Sequence, residues 1–554
     1  MEHSAGEVLD LRAGRLTADQ DAVLVSVMDA ARQAYTRMIA EVSASRSASP
    51  DWWATVTASR NTYRSTIFRL CTHIALVRAL RAQGRLPSRI VTDQSDFVAP
   101  LRQVAGLARV VAVGCRSRRN DLRNFVSAAA EAVRVAWQRW RAGQKPRRFD
   151  QPVILLDVFA FDGDLTAKGV HDRYFAGIDD TMPPAWRDRL LRLPTWFGMR
   201  DVGAAIAAAR ACPRPVLFKE DFLRPSDYLY ALTHVFRLVL ARRPRAIFES
   251  VALGGVLFRE QLADVFSLST QEALLNYRLC RRLKERAVPV RLVVDWFEGQ
   301  QLDKCLHLGL RHYLPEVDVV GYQGAAPRRA YHSYFVAAHE LAAHVAPARL
   351  VVPGAAHPQL ARLLAPELDA VPGPAFRFQP PATFARVPPD RRAIIVMLPV
   401  SIPDSSAVLE ALAASRLPDC PVEIKAHPTH GAGERSVLAA LVPAVAWTDQ
   451  PVLECYARAA VVVTCGSNSA LEALALGIPV VLAAFTAEMA EEIPLPDDLV
   501  FRHLQICRDR NGLGQAIAAL ARLEVDAAEI ERCRRACFGP VTVGSTAVLL
   551  TGIP

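Results

Sequence analysis

From residue 152 to residue 485, short and almost wholly apolar runs alternate with segments of helical periodicity, and that alternation leaves few folds open. PVILLDVFAF, RPVLFKEDF, AIFESVAL, VPVRLVVDWFEG and VDVVGYQG supply the runs of the first half, and VVPG at 351–354 continues them. A strand that is apolar on both faces needs helices on both sides, so the expected sheet is parallel and doubly wound. Residues 364–392 are crowded with proline and lack any period, which marks a linker. A second alternation follows in AIIVMLPV, VEIKAHP, VAWTD, VVVTCG and PVVLAAF, with helical segments between them. The fold class expected is α/β, with two doubly wound Rossmann-like domains joined by the linker.

The first part of the chain has another texture. Residues 15–90 read as helix, in the stretch from Thr17 to Val42 and again in TYRSTIFRLCTHIALVRALRAQG. RIVTDQ at 89–94 and ARVVAVG at 108–114 read as strands, and RNDLRNFVSAAAEAVRVAWQRWRAG as one long basic amphipathic helix ending at Gly143. The organisation expected is a helical segment, 1–88, packed on a first α/β domain, 89–363. The linker, 364–392, and a second α/β domain, 393–554, complete it. With 554 residues, 51% of them hydrophobic, the chain has enough apolar side chain for two such cores.

Charge and cysteine narrow the setting. Six lysines leave sixty of the 66 basic residues as arginine, spread through CRSRRNDLR, KPRRFD, ARRPR, APRRAY and PDRRA without a recognition helix or zinc finger to organise them. Nucleic acid is therefore not an expected partner. A diffuse net charge of +10 suits an anionic substrate, or peripheral association with an anionic membrane. No apolar run reaches the length of a membrane span, and MEHSAGEVLDLRAGRL lacks the basic start and apolar stretch of a secretory signal. The eleven cysteines lack paired spacing, apart from Cys533 and Cys537. A cytoplasmic location is expected, at most peripheral on the inner face of the membrane.

In open α/β sheets, ligands sit beyond the carboxyl ends of the strands. Strand 461–464 runs into Cys465, Gly466, Ser467, Asn468 and Ser469, and a helix begins there. Small residues admit a ligand to the backbone, and the helix N-terminus offers free N–H donors to a phosphate. Ser469 and Glu472 equally form a capping box that would spend both side chains on the helix itself. VEIKAHPTH places Lys425, His427 and His430 at another strand end, with Pro428 fixing the backbone after His427. His427 could donate to a phosphate or be a satisfied interior histidine. A metal reading lacks further ligands at suitable spacing.

KAHPTH, followed downstream by VVVTCGSNSALEALALGIPVV, resembles the nucleotide-sugar-binding domain of inverting GT-B glycosyltransferases, over roughly residues 393–485. Within them it is most similar to the bacterial capsule and lipopolysaccharide enzymes whose donors are CMP-activated acid sugars such as Kdo and sialic acids. The resemblance implies that His427, Pro428, Ser467 and Ser469 hold the donor phosphate and that Glu472 contacts the ribose. Lys425, Gly466 and Asn468 join them as donor-binding candidates. DWWATVTASRNTYRSTIFRLC and VVDWFEGQQLDKCLHLGLRHYLPEVDVVGYQG resemble a family of bacterial surface carbohydrate biosynthesis proteins, with Gly299 where that family usually has asparagine and Gly324-Ala325 where a His-Ser pair commonly follows. The two resemblances together imply a GT-B-like fold with its two domains facing a cleft, an acceptor-binding first domain, a glycan or lipid-linked glycan acceptor, and contacts from Trp296, Gln300, Tyr322 and Gln323.

An inverting transferase needs a base for the acceptor hydroxyl. Glu298, in the loop after VRLVVDW, is the first candidate and Asp295 the second, although Glu298 could instead cap the following helix. Asp162-Gly163-Asp164 mimics the metal-holding Asp-x-Asp of GT-A enzymes but reads better as a turn. A CMP leaving group needs neither metal nor cofactor, so none is predicted. A UDP- or CDP-linked donor, a sugar-nucleotide epimerase on the same fold, and a non-catalytic scaffold are the competing readings.

Overall fold

A computed structural model describes residues 8–114, 118–378, 393–496 and 498–550, with side chains described for all of these except 118–121. Two six-stranded sheets, parallel throughout, organise the chain. In the first the strands lie in the order Asp369–Gly373, Arg349–Pro353, Asp318–Tyr322, Val290–Trp296, Val153–Ala160, Leu190–Trp196. In the second the order is Ala446–Trp447, Val422–Lys425, Ala393–Met397, Ala459–Thr464, Val480–Ala483, Leu504–Cys507. The central strands are fully buried on both faces, as in Ile394 to Val396 and Val461 to Val463, which is why they read as unbroken apolar runs. Two doubly wound domains facing a cleft, the GT-B-like architecture, is what forms.

Sheet order decides where ligands can bind. Each sheet reverses its winding once. The reversal falls between Val153–Ala160 and Val290–Trp296 in the first domain and between Ala393–Met397 and Ala459–Thr464 in the second. Loops leave such a switch point in opposite directions and open a crevice between them. Glu298 follows one of these strands and Gly466 another.

Several expected boundaries move. The strands Arg89–Thr92 and Arg109–Ala112 do not enter the first large sheet. They pair with Val8–Asp10 in a three-stranded parallel sheet of their own, packed with helices Ala18–Ala44 and Ile67–Ala82. The expected linker begins too early, because Asp369–Gly373 is the edge strand of the first sheet, its proline tolerated at an edge. Residues 379–392 of it lie outside the described residues. RPVLFKEDF makes one bridge, at Val216, before the short turn Lys219–Asp221, and AIFESVAL makes only a two-residue hairpin. The remaining strand is Leu190–Trp196, where Arg192 and Pro194 hide the signal at the opposite edge.

The two domains are also laced together. Beyond helix Ala527–Cys537 the chain returns to the first domain, where Leu549 and Leu550 pack with Ile154, Leu156 and Trp296, and Thr546 bonds Thr181 at 2.8 Å. The long N-terminal helix reaches the other way. Asp21 accepts the Ala487 N–H, and Arg32 pairs with Glu491. DWWATVTASRN turns out to be scaffold: Trp53 and Arg60 are buried, and Arg60 with Lys304 flanks the buried Glu340 at 2.9 and 2.7 Å. Those cations hold the Glu340 carboxyl down, to about 2, against the opposing effect of burial. Among the described residues no helix is long and apolar enough to cross a membrane.

Candidate active site

The crevice of the second domain is a cavity of about 490 Å³. Lys425, His427, Pro428, Gly466, Ser467, Asn468, Ser469 and Glu472 all line it, so the two motifs expected to bind a donor meet on one surface. The first domain closes the opposite wall with Tyr63, Arg328, Tyr331, Tyr334 and Arg377.

The serine turn has a local cause. Strand Ala459–Thr464, buried along its whole length, runs straight to Cys465, and Gly466 then takes φ +60°. A Cβ there would stand 2.2 Å from Glu492 Cβ, so the close approach that glycine permits is made by the protein's own 492 segment. Ser467, not Ser469, caps helix Asn468–Ala475: its Oγ accepts the Ser469 N–H at 3.2 Å and the Ser469 hydroxyl at 2.6 Å. The helix thus starts earlier than a Ser469–Glu472 capping box requires, and Glu472 is left free of the cap. Burial pushes the Glu472 carboxyl up to about 7, against the pull of Arg377 and a hydrogen bond from Tyr456. Asn468 Oδ1 is buried without a protein partner.

His427 is half-buried, which disposes of the interior-histidine reading, and its hydrogen bonds stay in its own turn. Nδ1 lies 2.7 Å from Thr429 Oγ1 and accepts the Thr429 N–H at 3.3 Å, which leaves the proton of the neutral ring on Nε2. Burial lowers its pKa, and His430 and Arg328 lower it further, so the neutral ring is the form present at pH 7. His430 is no second ligand beside it, because its Nε2 faces Val400 O at 3.2 Å. Lys425 Nζ donates to Gln450 O at 2.5 Å on the cavity wall.

A second, apolar cavity of about 200 Å³ lies in the first domain. Phe159, Phe161, Tyr174, Trp196 and Phe197 line it, and Glu298 and Gln300 are among its polar lining residues, with Arg139 and Glu272. Glu298 accepts from Trp296 Nε1 at 2.9 Å and from Gln300 Nε2 at 2.5 Å. It does not cap the next helix. Asp303 does, accepting the Glu298 and Gln300 N–H groups at 3.1 and 2.9 Å. The turn needs Gly299, at φ +65°, because a Cβ would meet Ser333 O at 1.9 Å. Asparagine would share the φ but not the space.

Three of the expected acceptor contacts are interior. Trp296 is buried in a ring cluster with Tyr174, Phe175 and Tyr322. The Tyr322 hydroxyl donates to Pro374 O, and Gln323 donates to Tyr334 O. They shape the wall that Glu298 and Gln300 present. Asp295 is corrected too. It is fully buried, lines neither cavity, and meets His307 Nε2 at 2.7 Å. With Asp157 and Asp303 it makes a group of carboxylates within 4.8 Å, in which burial first and Asp295 second hold the other two well above the usual carboxylate range. Asp164 accepts from its own turn at Phe161 N and from Arg173, as a turn aspartate does.

Sequence reasoning misses Arg328 and Arg377. Arg328 donates to Gly466 O at 2.6 Å and pairs with Glu492 at 2.9 Å, tying the first domain to the serine turn. The Arg377 guanidinium lies 5.6 Å from the Tyr174 ring, which faces the apolar cavity, while Arg377 itself lines the polar one. Its charge also opposes the effect of Glu298 on Tyr174, whose hydroxyl burial and Glu298 push up to about 12. Arg377 therefore lines one cavity and lies against a ring that lines the other.

No protein-family model matches the chain, and no curated protein does. Among solved structures it is similar to the S. aureus MnaA–UDP co-structure, at 9% identity over 73% of this chain and 96% of that one, with a TM-score of 0.38. It is similar to Acinetobacter baumannii MurG at 12% identity, over 72% and 98%, with a TM-score of 0.39. A glycosyltransferase from Rickettsia africae gives 10%, 73%, 100% and 0.40 in the same order.

Proposed function

We propose that the chain is a glycosyltransferase of bacterial surface polysaccharide or glycoconjugate synthesis. It takes its sugar from a nucleotide donor, CMP-linked by first preference, held in the second domain. The observation that carries this reading is the convergence of all eight donor-side residues on one crevice at a topological switch point. The helix N-terminus behind Ser467 and the Nε2–H of His427 offer donors to a departing phosphate, and Arg377 adds positive charge from the opposite wall. Inversion then proceeds by single displacement. Glu298 takes the proton of the acceptor hydroxyl as that oxygen attacks the anomeric carbon, and the bond to the phosphate oxygen breaks. A second cavity ending on Glu298 favours transfer over epimerisation, because an epimerase has no acceptor to seat.

A thermal-shift panel of CMP, UDP and GDP tests it. CMP is expected to raise the melting temperature, since a ligand of the native state stabilises by mass action. A shift with UDP alone moves the donor assignment to UDP, and no shift with any nucleotide sinks the reading.

Glu472 adds a pH signature. Its carboxyl ionises near 7, and only the ionised form accepts from both ribose hydroxyls. Nucleotide affinity is therefore expected to rise between about pH 6 and about pH 8, and Glu472→Gln to lose that rise. Titrating both proteins at each pH cancels the phosphate's own ionisation, which falls near pH 6. Parallel curves for the two proteins would remove Glu472 from the ribose.

A further inference from the structure

Helix Arg118–Ala142 packs on the first domain by one face only. Ala132, Val135, Ala136 and Arg139 turn inward to wall the apolar cavity, and Arg139 is fixed there by Glu220 at 2.8 Å and by Glu272. The outward face should be polar in a helix that ends at water. Instead Leu122, Val126, Val133, Trp137 and Trp140 are each half or more exposed. At 3.6 residues per turn these five fall within about 60° of arc, a single stripe about 27 Å long. No described element covers it.

The charge around the stripe has one sign. Between residues 118 and 149 the chain has nine Lys and Arg against two Asp and Glu, of which Arg139 turns inward to Glu220 and Glu272 and Arg134 pairs with Glu131. Arg123 and Arg141 flank the stripe on one side, and the Arg141 guanidinium lies 4.7 Å from the Trp137 ring. Lys145, Arg147 and Arg148 are exposed in the loop that follows. Glu131 lies on the far side of the helix, paired with Arg134.

We propose that this stripe lies on an anionic bilayer surface, with the tryptophans at headgroup level and the arginines on lipid phosphates. A partly sunk apolar line with indole rings and one-sided positive charge is the chemistry by which a helix rests in a membrane interface. A protein partner would meet the same apolar line but would not call for uncompensated arginine along its length. Docking also sets the mouth of the cavity beside the bilayer, because the cavity lies on the adjacent flank of the same helix and exposed Phe197 lines it. An acceptor with an apolar tail could then pass from lipid to Glu298, a consequence that rests on the proposed function. The docking itself does not.

Vesicle flotation of the full chain tests it. The protein is expected to float with vesicles of about 30% phosphatidylglycerol in phosphatidylcholine, to bind at least about tenfold more weakly to phosphatidylcholine alone, and to be released by salt. The double variant Trp137→Glu/Trp140→Glu is expected to bind the anionic vesicles at least about tenfold more weakly, with its melting temperature and nucleotide shift unchanged. A wild-type protein that stays at the bottom of the gradient overturns the proposal. So does a variant that floats equally well. Sedimentation equilibrium showing a dimer that the variant abolishes would assign the stripe to a second copy of the chain. The nucleotide panel reads the other domain, so failure here and failure of the transferase reading are separable.

Discussion

Glu298→Gln is expected to lower turnover by about a hundredfold to ten-thousandfold at saturating donor, the usual contribution of a general base, with donor affinity nearly unchanged. Glutamine keeps the volume and can still accept from Trp296 Nε1 and bond Gln300, so the wall of the cavity should persist. What it lacks is a site for the proton. Asp295→Asn is the control. Its side chain is sealed against His307 and faces neither cavity, so its replacement should alter stability and leave the saturated rate nearly intact. Measured kcat and melting temperature for the pair decide the matter. A Glu298→Gln enzyme with near-normal kcat would reduce Glu298 to a bridge between Trp296 and Gln300.

His427→Ala is expected to weaken nucleotide binding by about 1.5–3 kcal/mol, or about tenfold to 150-fold in Kd, the scale of a hydrogen bond to a charged group. The fold should survive, because the ring is half-buried and its hydrogen bonds stay within the 427–429 turn. Calorimetric titration of the nucleotide gives the affinity, and the thermal unfolding curve of the free protein gives the stability. An alanine variant that loses cooperative unfolding while binding nucleotide normally would make His427 a structural residue after all.

The parts of the fold legible in the sequence are those where one physical signal dominates. Strands such as Ala459–Thr464 and Val480–Ala483 are buried on both faces, and nothing but an apolar run can satisfy that. Edge strands are half solvated and admit breakers, so Leu190–Trp196, with its arginine and proline, and Asp369–Gly373, with its proline, carry the signals of loops. The strands at 89–92 and 109–112 are legible as strands but not as members of a separate sheet, because partner choice is non-local.

The same division holds at the site. Strand ends followed by small or polar residues announce themselves, so the serine turn and the His-Pro turn can be found. Arg377 is lost inside a proline-rich stretch read as linker, and Arg328 among arginines read as diffuse charge. Each matters through a partner on the other domain, and a one-dimensional pattern carries no such pairing. Trp296, Tyr322 and Gln323 fail for the opposite reason. Their motif is dense in residues that bind sugars elsewhere, but here the rings hold one another and the amide holds the main chain.

The return of the chain to the first domain after helix Ala527–Cys537 bears on how such a protein can change over generations. The second domain is not one uninterrupted stretch of sequence, because Leu549 and Leu550, beyond its last helix, belong to the core of the first. A recombination that replaced everything after the 379–392 stretch would import a foreign tail beneath Ile154, Leu156 and Trp296. Exchange of the second domain between relatives therefore needs two crossovers, one before Ala393 and one after Cys537, with Leu549 and Leu550 inherited alongside the first domain. Divergence by point substitution around the crevice is the simpler route, and Leu549 and Leu550 should drift in step with the first sheet they pack on.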